Sequence, residues 1–257
     1  MRIIGIQNLV GGAGATSIVA GYTVALNEMG VRAIALDLQE DNQLQLLFGR
    51  ALSDTNGLAT DESASLQDYL YETQAGYPFI PMGLQSLSSP EQQSQLVDKL
   101  EQLITPVLTQ TDRVLILDVP ASKGPLQDWA YRHAELMINV VQPEPRAPGA
   151  LLRFAADARA RQQTANCESM VLFNGVAPQL ELNKDTLDYL RSQLHPSTVI
   201  PVMVHRDQHI PEACARAMPV FEYARQAQSS RDFDALALWT LSFMPEIEQV
   251  NLQASET

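Results

Sequence analysis

Between an apolar run, Arg2-Ile3-Ile4-Gly5-Ile6-Gln7, and a helical pattern from Thr16 to about Met29 lies the loop Gly11-Gly12-Ala13-Gly14-Ala15-Thr16-Ser17. A strand that runs into a glycine-rich turn and re-emerges as a helix is the setting of a phosphate-binding loop. Glycines let successive backbone N–H groups turn inward, and the first turn of the helix adds partial positive charge, so phosphate oxygens are stabilised there. The lysine that normally reaches the β- and γ-phosphates is missing. Position 15 is Ala, and the lysines of the chain, Lys99, Lys123 and Lys184, are remote in sequence. The loop predicts a nucleotide site with impaired chemistry.

The rest of the pattern extends this start into a fold. Apolar runs alternate with helical periodicity, which predicts an α/β fold of three layers, a mostly parallel twisted sheet flanked by helices, of P-loop NTPase type. Strands are expected at Val31–Leu36 (ending at Asp37), Val114–Asp118, Leu136–Val141, Met170–Asn174 and Val199–Val204. Gly30 is expected as a helix C-cap. Ser89-Pro90-Glu91-Gln92 carries an N-cap, a proline at the first helical position and a glutamine three residues after the cap, so a helix should run from there to about Thr109. Further helices are expected at 147–163, 185–193, 210–217 and 231–243, with an irregular stretch over 38–88 that turns near Asn56-Gly57 and Gly83. With no Pro/Gly/Ser linker, 1–245 reads as a single domain and 246–257 as a polar, acidic, disordered tail.

A formal net charge of −13 excludes the basic stripe that a nucleic-acid partner wants. It also argues against docking on an anionic membrane by charge alone. Cys167 and Cys214 stand far apart and form no metal or disulfide framework, as suits a reducing cytosol. No apolar run is long enough to span a bilayer, and no signal peptide or membrane anchor is expected.

In open parallel sheets, ligands sit at the carboxyl ends of the strands. There the Thr16 hydroxyl is placed to ligate Mg²⁺ and Ser17 to contact a phosphate. Asp37 and Asp118 end two strands; they are the candidate catalytic acids and, with Thr16, the candidate Mg²⁺ ligands. Asn174 ends another strand, with an amide suited to reading an adenine edge. An acid after a strand is also a common turn former, and Asn174-Gly175 is a strong turn dipeptide. The weight therefore rests on the set taken in order. His205 and His209 have helical spacing for zinc but no evident third ligand, and Ser122 lacks the Gly-x-Ser-x-Gly elbow of a hydrolase.

This pattern resembles the MinD/ParA family of deviant P-loop ATPases (the SIMIBI class) over essentially the whole chain. The family loop, Lys-Gly-Gly-x-Gly-Lys-Thr-Thr, aligns with Val10-Gly11-Gly12-Ala13-Gly14-Ala15-Thr16-Ser17, and both lysines are gone. The first, at Val10, would reach across a nucleotide-sandwiching dimer, and the second, at Ala15, would grip phosphate in its own subunit. The family Asp-x-Asp aligns with Asp37-Leu38-Gln39, where Gln39 replaces the acid associated with the attacking water. The chain is most similar to the branch encoded in bacterial cellulose-synthase operons. That match is carried by Val10–Ser17, Asp41-Asn42-Gln43-Leu44, Pro201-Val202-Met203-Val204-His205-Arg206-Asp207, Pro219-Val220-x-Glu222-Tyr223 and Leu236-Ala237-Leu238-Trp239.

The resemblance implies ATP and Mg²⁺ as cofactors. Gly11 to Ser17, Asn174, Pro201 and Arg206 would line the nucleotide, and Arg146 and Arg206 are candidates for the missing positive charge. It implies a nucleotide-sandwich homodimer in the cytoplasm, recruited to the inner face of the membrane by cellulose-synthase subunits and a small companion protein. The expected function is an accessory, assembly-platform role in cellulose synthesis and secretion, with hydrolysis weak or absent. An active ATPase working as a positional switch and a nucleotide-free scaffold remain as alternatives.

Overall fold

The computed structural model of the chain describes residues 1–244 apart from 52, 64, 88, 110–112 and 162–166, and leaves the side chains of 157–161 undescribed. The expected tail at 246–257 and the expected helix end at 162–163 lie outside these residues. In chain order the strands are β1 Arg2–Asn8, β2 Ala33–Asp37, β3 Tyr71–Glu72, β4 Pro78–Ile80, β5 Val114–Val119, β6 Leu136–Val141, β7 Glu168–Val176 and β8 Val199–His205. The helices are α1 Ala15–Glu28, α2 Leu44–Leu47, α3 Pro90–Ile104, α4 Pro125–His133, α5 Ala147–Arg161, α6 Glu181–Ser192, α7 His209–Ala215, α8 Val220–Tyr223 and α9 Gln228–Phe243. One sheet runs in the order β3-β4-β2-β5-β1-β6-β7-β8. Its pairs are parallel except β3 with β4. The expected fold class is found.

Strand alternation assigns the two faces. Ile4, Ile6, Val114 and Ile116 enter one core cluster with α1 and α9, whereas Ile3, Leu115, Leu117 and Val119 enter another with α3 and α4. Burial on both faces makes β1 and β5 continuously apolar, as a central parallel strand must be. Inside this sheet a buried polar cluster satisfies itself. Gln7 Nε2 donates to Tyr131 Oη (2.7 Å) and Asn139 Oδ1 (2.6 Å), and Gln127 Nε2 donates to Gln7 Oε1 (2.9 Å).

Helix ends follow their sequence signals. α1 stops in a Schellman turn, with Gly30 at φ +85°, its N–H on Asn27 O (2.9 Å) and the Val31 N–H on Leu26 O (3.0 Å). α3 begins with the expected capping box of Ser89 and Gln92. It ends at Ile104, earlier than expected, because Thr105-Pro106-Val107 tightens into a 3-10 turn. β2 begins at Ala33, two residues after the expected start, because Val31 still belongs to the helix cap.

Several elements escape the sequence pattern, among them the four-residue α8. The stretch over 38–88 is not wholly irregular: it holds α2 and the short strands β3 and β4, and β4 adds to the sheet beside β2. α4 was not expected; its cues are a Gly124 N-cap, Pro125 at the first helical position, and Arg132 and His133 in the last turn.

α1 and α9 pack through a specific gap. A Cβ at Gly21 of α1 would lie 2.2 Å from Phe233 Cε2 of α9. Beside it, the buried Tyr22 hydroxyl donates to Thr240 Oγ1 at 2.7 Å. Gly21→Ala must therefore push α9 outward, and overpacking of this kind costs about 1–3 kcal/mol. Thermal unfolding should show a fall of several degrees, whereas a gain, as expected of Gly→Ala in an open helix, would show that α9 does not seat there.

Candidate nucleotide site

The glycine loop leaves β1 at Asn8 and is tied down at each step. Leu9 N–H donates to Val140 O of β6 (2.8 Å), and Ala13 N–H to Val10 O (3.0 Å). Gly12 and Gly14 take φ of +78° and +95°, values that side chains resist. Ala13 O accepts from Asn174 Nδ2 at 2.7 Å and from Gln142 Nε2 at 3.4 Å. A Cβ at position 14 would meet Asn174 Nδ2 at 2.4 Å, whereas one at Gly11 or Gly12 would meet nothing within 4 Å. The inner side of the loop is thus clamped, and its outer side is an open cradle.

α1 opens at Gly14 with no side-chain cap. The Ala15 N–H is taken by Asn8 Oδ1 at 2.9 Å, an oxygen standing where a phosphate-binding loop would receive a phosphate oxygen. The Ala15 methyl is fully buried in the α1-side core. The position that carries lysine in other such loops therefore faces apolar packing here.

Below the loop, Asp37 and Asp118 are register partners at the ends of β2 and β5, both fully buried. Asp37 Oδ1 accepts the Gln39 N–H (2.8 Å) and Asp37 Oδ2 the Leu44 N–H (3.2 Å). Gln39 Nε2 reaches across to Asp118 Oδ1 and Val119 O, both at 3.1 Å. Asp118 Oδ2 is buried and, among the described residues, has no hydrogen-bond partner. Burial, reinforced by the neighbouring Asp118 charge, pushes the Asp37 carboxyl well above the usual range. Asp118 is also raised, chiefly by burial, although hydrogen bonds from the Thr16 hydroxyl and Gln39 work against the rise. A partnerless buried oxygen, a second carboxylate and a threonine hydroxyl form a donor set that suits a hard divalent cation.

The structure brings together the loop, Thr16, Asp37, Asp118 and Asn174. The Asn174 amide gives one of its two N–H groups to Ala13 O, so this side chain also holds the loop. Pro201 and Arg206 are not brought beside the loop: Pro201 is exposed on the edge strand β8 and Arg206 follows that strand, with β6 and β7 between it and β1. Arg146 pairs with Glu144 (3.0 Å) at the surface. Sequence distance misled about Lys123. A cavity of about 290 Å³ beside Asn8 and Leu9 is lined by Lys123 and Arg153, which only the folded topology places there. Gln39 was read as a loss, and its bridge between the two acids had no sequence signal.

A family model described as "Cellulose biosynthesis protein BcsQ" matches residues 1–241. The chain belongs to the BcsQ family. The BcsQ protein of Salmonella typhi is 24% identical over 252 residues, with 94% of each chain covered. Among solved structures, MinD of Pyrococcus horikoshii OT3 in complex with Mg-ADP superposes with a TM-score of 0.69 at 22% identity, covering 92% of this chain and 94% of that one. The Pyrococcus furiosus cell-division ATPase MinD gives 0.71 at 21% identity, covering 94% and 99%. These likenesses establish the MinD/ParA-like fold. No helix among the described residues is long and apolar enough to cross a membrane.

The segment that most resembles the BcsQ branch, Pro201–Asp207, ends in a hydrogen-bonded hub. Asp207 Oδ2 accepts the Ser229 N–H (2.8 Å) and hydroxyl (2.9 Å), while Asp207 Oδ1 accepts the His209 N–H (3.0 Å) and faces His209 Nδ1 (2.7 Å). His205 Nδ1 faces Asp232 Oδ2 at 3.0 Å. Each histidine thus has its own carboxylate, an arrangement that ties β8 and α7 to the start of α9. Burial alone would raise the Asp207 carboxyl, but the donors from Ser229 and His209 outweigh it and hold it down at about 2. Its folded value lies below its unfolded one. The stabilisation, about 2 kcal/mol, is therefore complete above pH 4 and is lost as pH falls through 2. Asp207→Asn should lower stability at pH 7 and flatten the loss of stability between those values, as followed by urea unfolding at several pH values; an unchanged acid limb would show that the hub carries no such linkage.

Proposed function

We propose that the chain binds ATP with Mg²⁺ and serves, as a nucleotide-stabilised homodimer with little or no hydrolysis, as an assembly platform for cellulose synthesis and secretion. The observation that carries this reading is the open cradle at Gly11 and Gly12, set above a buried Asp118 oxygen that has no partner. The fold supports it, since MinD of Pyrococcus horikoshii was solved with Mg-ADP. Membership of the BcsQ family supplies the cellulose context.

Thr16, Asp37 and Asp118 would hold the cation, which supplies charge neutralisation for the phosphates. The chain's own part is to present loop N–H groups and the start of α1. A charge-assisted hydrogen bond contributes roughly 1.5–3 kcal/mol, so two lost lysines weaken binding unless other groups offset them. Lys123 and Arg153, at the entry to the loop, are the cations best placed to do so. Hydrolysis has lost more, because its transition state needs both charge stabilisation and an oriented water, and Gln39 stands where the family carries the second acid. Recruitment to the cytoplasmic face of the membrane, in this reading, runs through cellulose-synthase subunits and a small companion protein. The acidic chain has no use for nucleic acid.

The test is calorimetric titration with ATP and Mg²⁺, with light scattering on the same samples. Saturation near one ATP per chain with a doubling of mass is expected. Gly12→Asp, which sets a carboxylate in the cradle, should abolish both. Binding without a change in mass would point to a monomeric nucleotide protein, steady turnover to a positional switch, and no binding at millimolar ATP to a scaffold.

A further inference from the structure

We infer that Gln39 is a positioning residue whose amide competes with a divalent metal for Asp118 and so sets how readily the site accepts one. The inference rests on the Mg²⁺-ATP reading above and deepens it. Residue 39 serves both buried acids at once: its backbone N–H donates to Asp37 Oδ1 at 2.8 Å, and its side-chain Nε2 donates to Asp118 Oδ1 at 3.1 Å. Asp37 does not depend on the side chain, because Leu44 N–H satisfies its other oxygen. Asp118 does depend on it. Its Oδ2 is buried and unpartnered, and its other support is the Thr16 hydroxyl, which the same metal would claim.

An amide N–H carries the positive end of a dipole. Pointed at a carboxylate oxygen, it supplies in the empty site a fraction of the neutralisation that a dication supplies in the loaded one. The two cannot share that oxygen, so a metal arriving at Asp118 must turn the amide away. Gln39 is half-buried and has solvent on one side into which to turn. The carboxylate that the MinD/ParA pattern places at this position would act in the opposite sense. It would add negative charge beside two buried acids, which disfavours the empty site and favours a bound cation. Glutamine therefore stabilises the empty state at the expense of metal affinity.

Two variants separate this role from simple structural support. Gln39→Met keeps the length and the backbone N–H to Asp37 but removes the donor to Asp118. Gln39→Asp replaces the donor with a charge. Melting in EDTA gives the stability of the empty protein, and electron paramagnetic resonance titration with Mn²⁺ gives metal affinity without nucleotide or turnover. Both variants should melt several degrees below the parent chain yet bind Mn²⁺ more tightly, Gln39→Met by about tenfold, the equivalent of one charge-assisted hydrogen bond, and Gln39→Asp by more. Lower melting with unchanged Mn²⁺ affinity would reduce Gln39 to a structural prop and overturn the inference, leaving the Mg²⁺-ATP reading in place. Absence of Mn²⁺ binding in all three proteins at millimolar metal would also overturn the inference, whereas the Mg²⁺-ATP reading stands or falls on titration with nucleotide.

Discussion

Asp37 and Asp118 end neighbouring strands in the same register row, fully buried and side by side. Removing two like charges from water costs several kcal/mol per ion unless donors or counter-charge meet them. The surroundings are arranged around that cost. The β2–α2 turn delivers two backbone N–H groups to Asp37, and Gln39 spans to Asp118. One oxygen is left over, and it lies beneath the loop whose outer side is open.

The loop itself is built for rigidity. Two side-chain amides, from Gln142 and Asn174, fix its backbone at Ala13 O, and the Asn8 oxygen holds the Ala15 N–H, so the loop is shaped before any ligand arrives. Preorganised donors lose less on binding than flexible ones. A long lysine is a poor substitute for this kind of shape, and the converse also holds: shape alone supplies no full positive charge. With Ala15 buried in the core, the proposed site divides the work between backbone dipoles on the phosphates and a divalent cation on the acids.

Much of this was legible in the sequence because strong local signals and topology agreed. The glycine loop, Asp37, Asp118 and Asn174 occur in the order that a parallel sheet brings to one edge, and the capping box at Ser89 and the C-cap at Gly30 formed as read. What stayed hidden depends on side-chain reach or on short elements. β3 and β4 have two and three residues, too few to show a period. α4 follows a glycine-proline pair that reads equally well as a turn. Lys123 lies more than a hundred residues from the loop, and only the β1–β5 pairing carries it to the loop entry. Asn174 stood out by position, but its Nδ2 hydrogen bond to Ala13 O had no sequence signal, because it depends on β7 lying two strands from β1. Gln39 looked like a deletion of function since sequence shows which group is lost, not which hydrogen bond replaces it.

Without the two loop lysines, phosphate binding over two buried acids should depend on a divalent cation. Titrating ATP into the wild-type chain with excess Mg²⁺, and again in EDTA, tests this directly. Affinity should fall by about tenfold or more without the metal, since unshielded phosphate then faces Asp37 and Asp118 across the loop. Equal affinity in both conditions would assign the phosphates to protein cations alone.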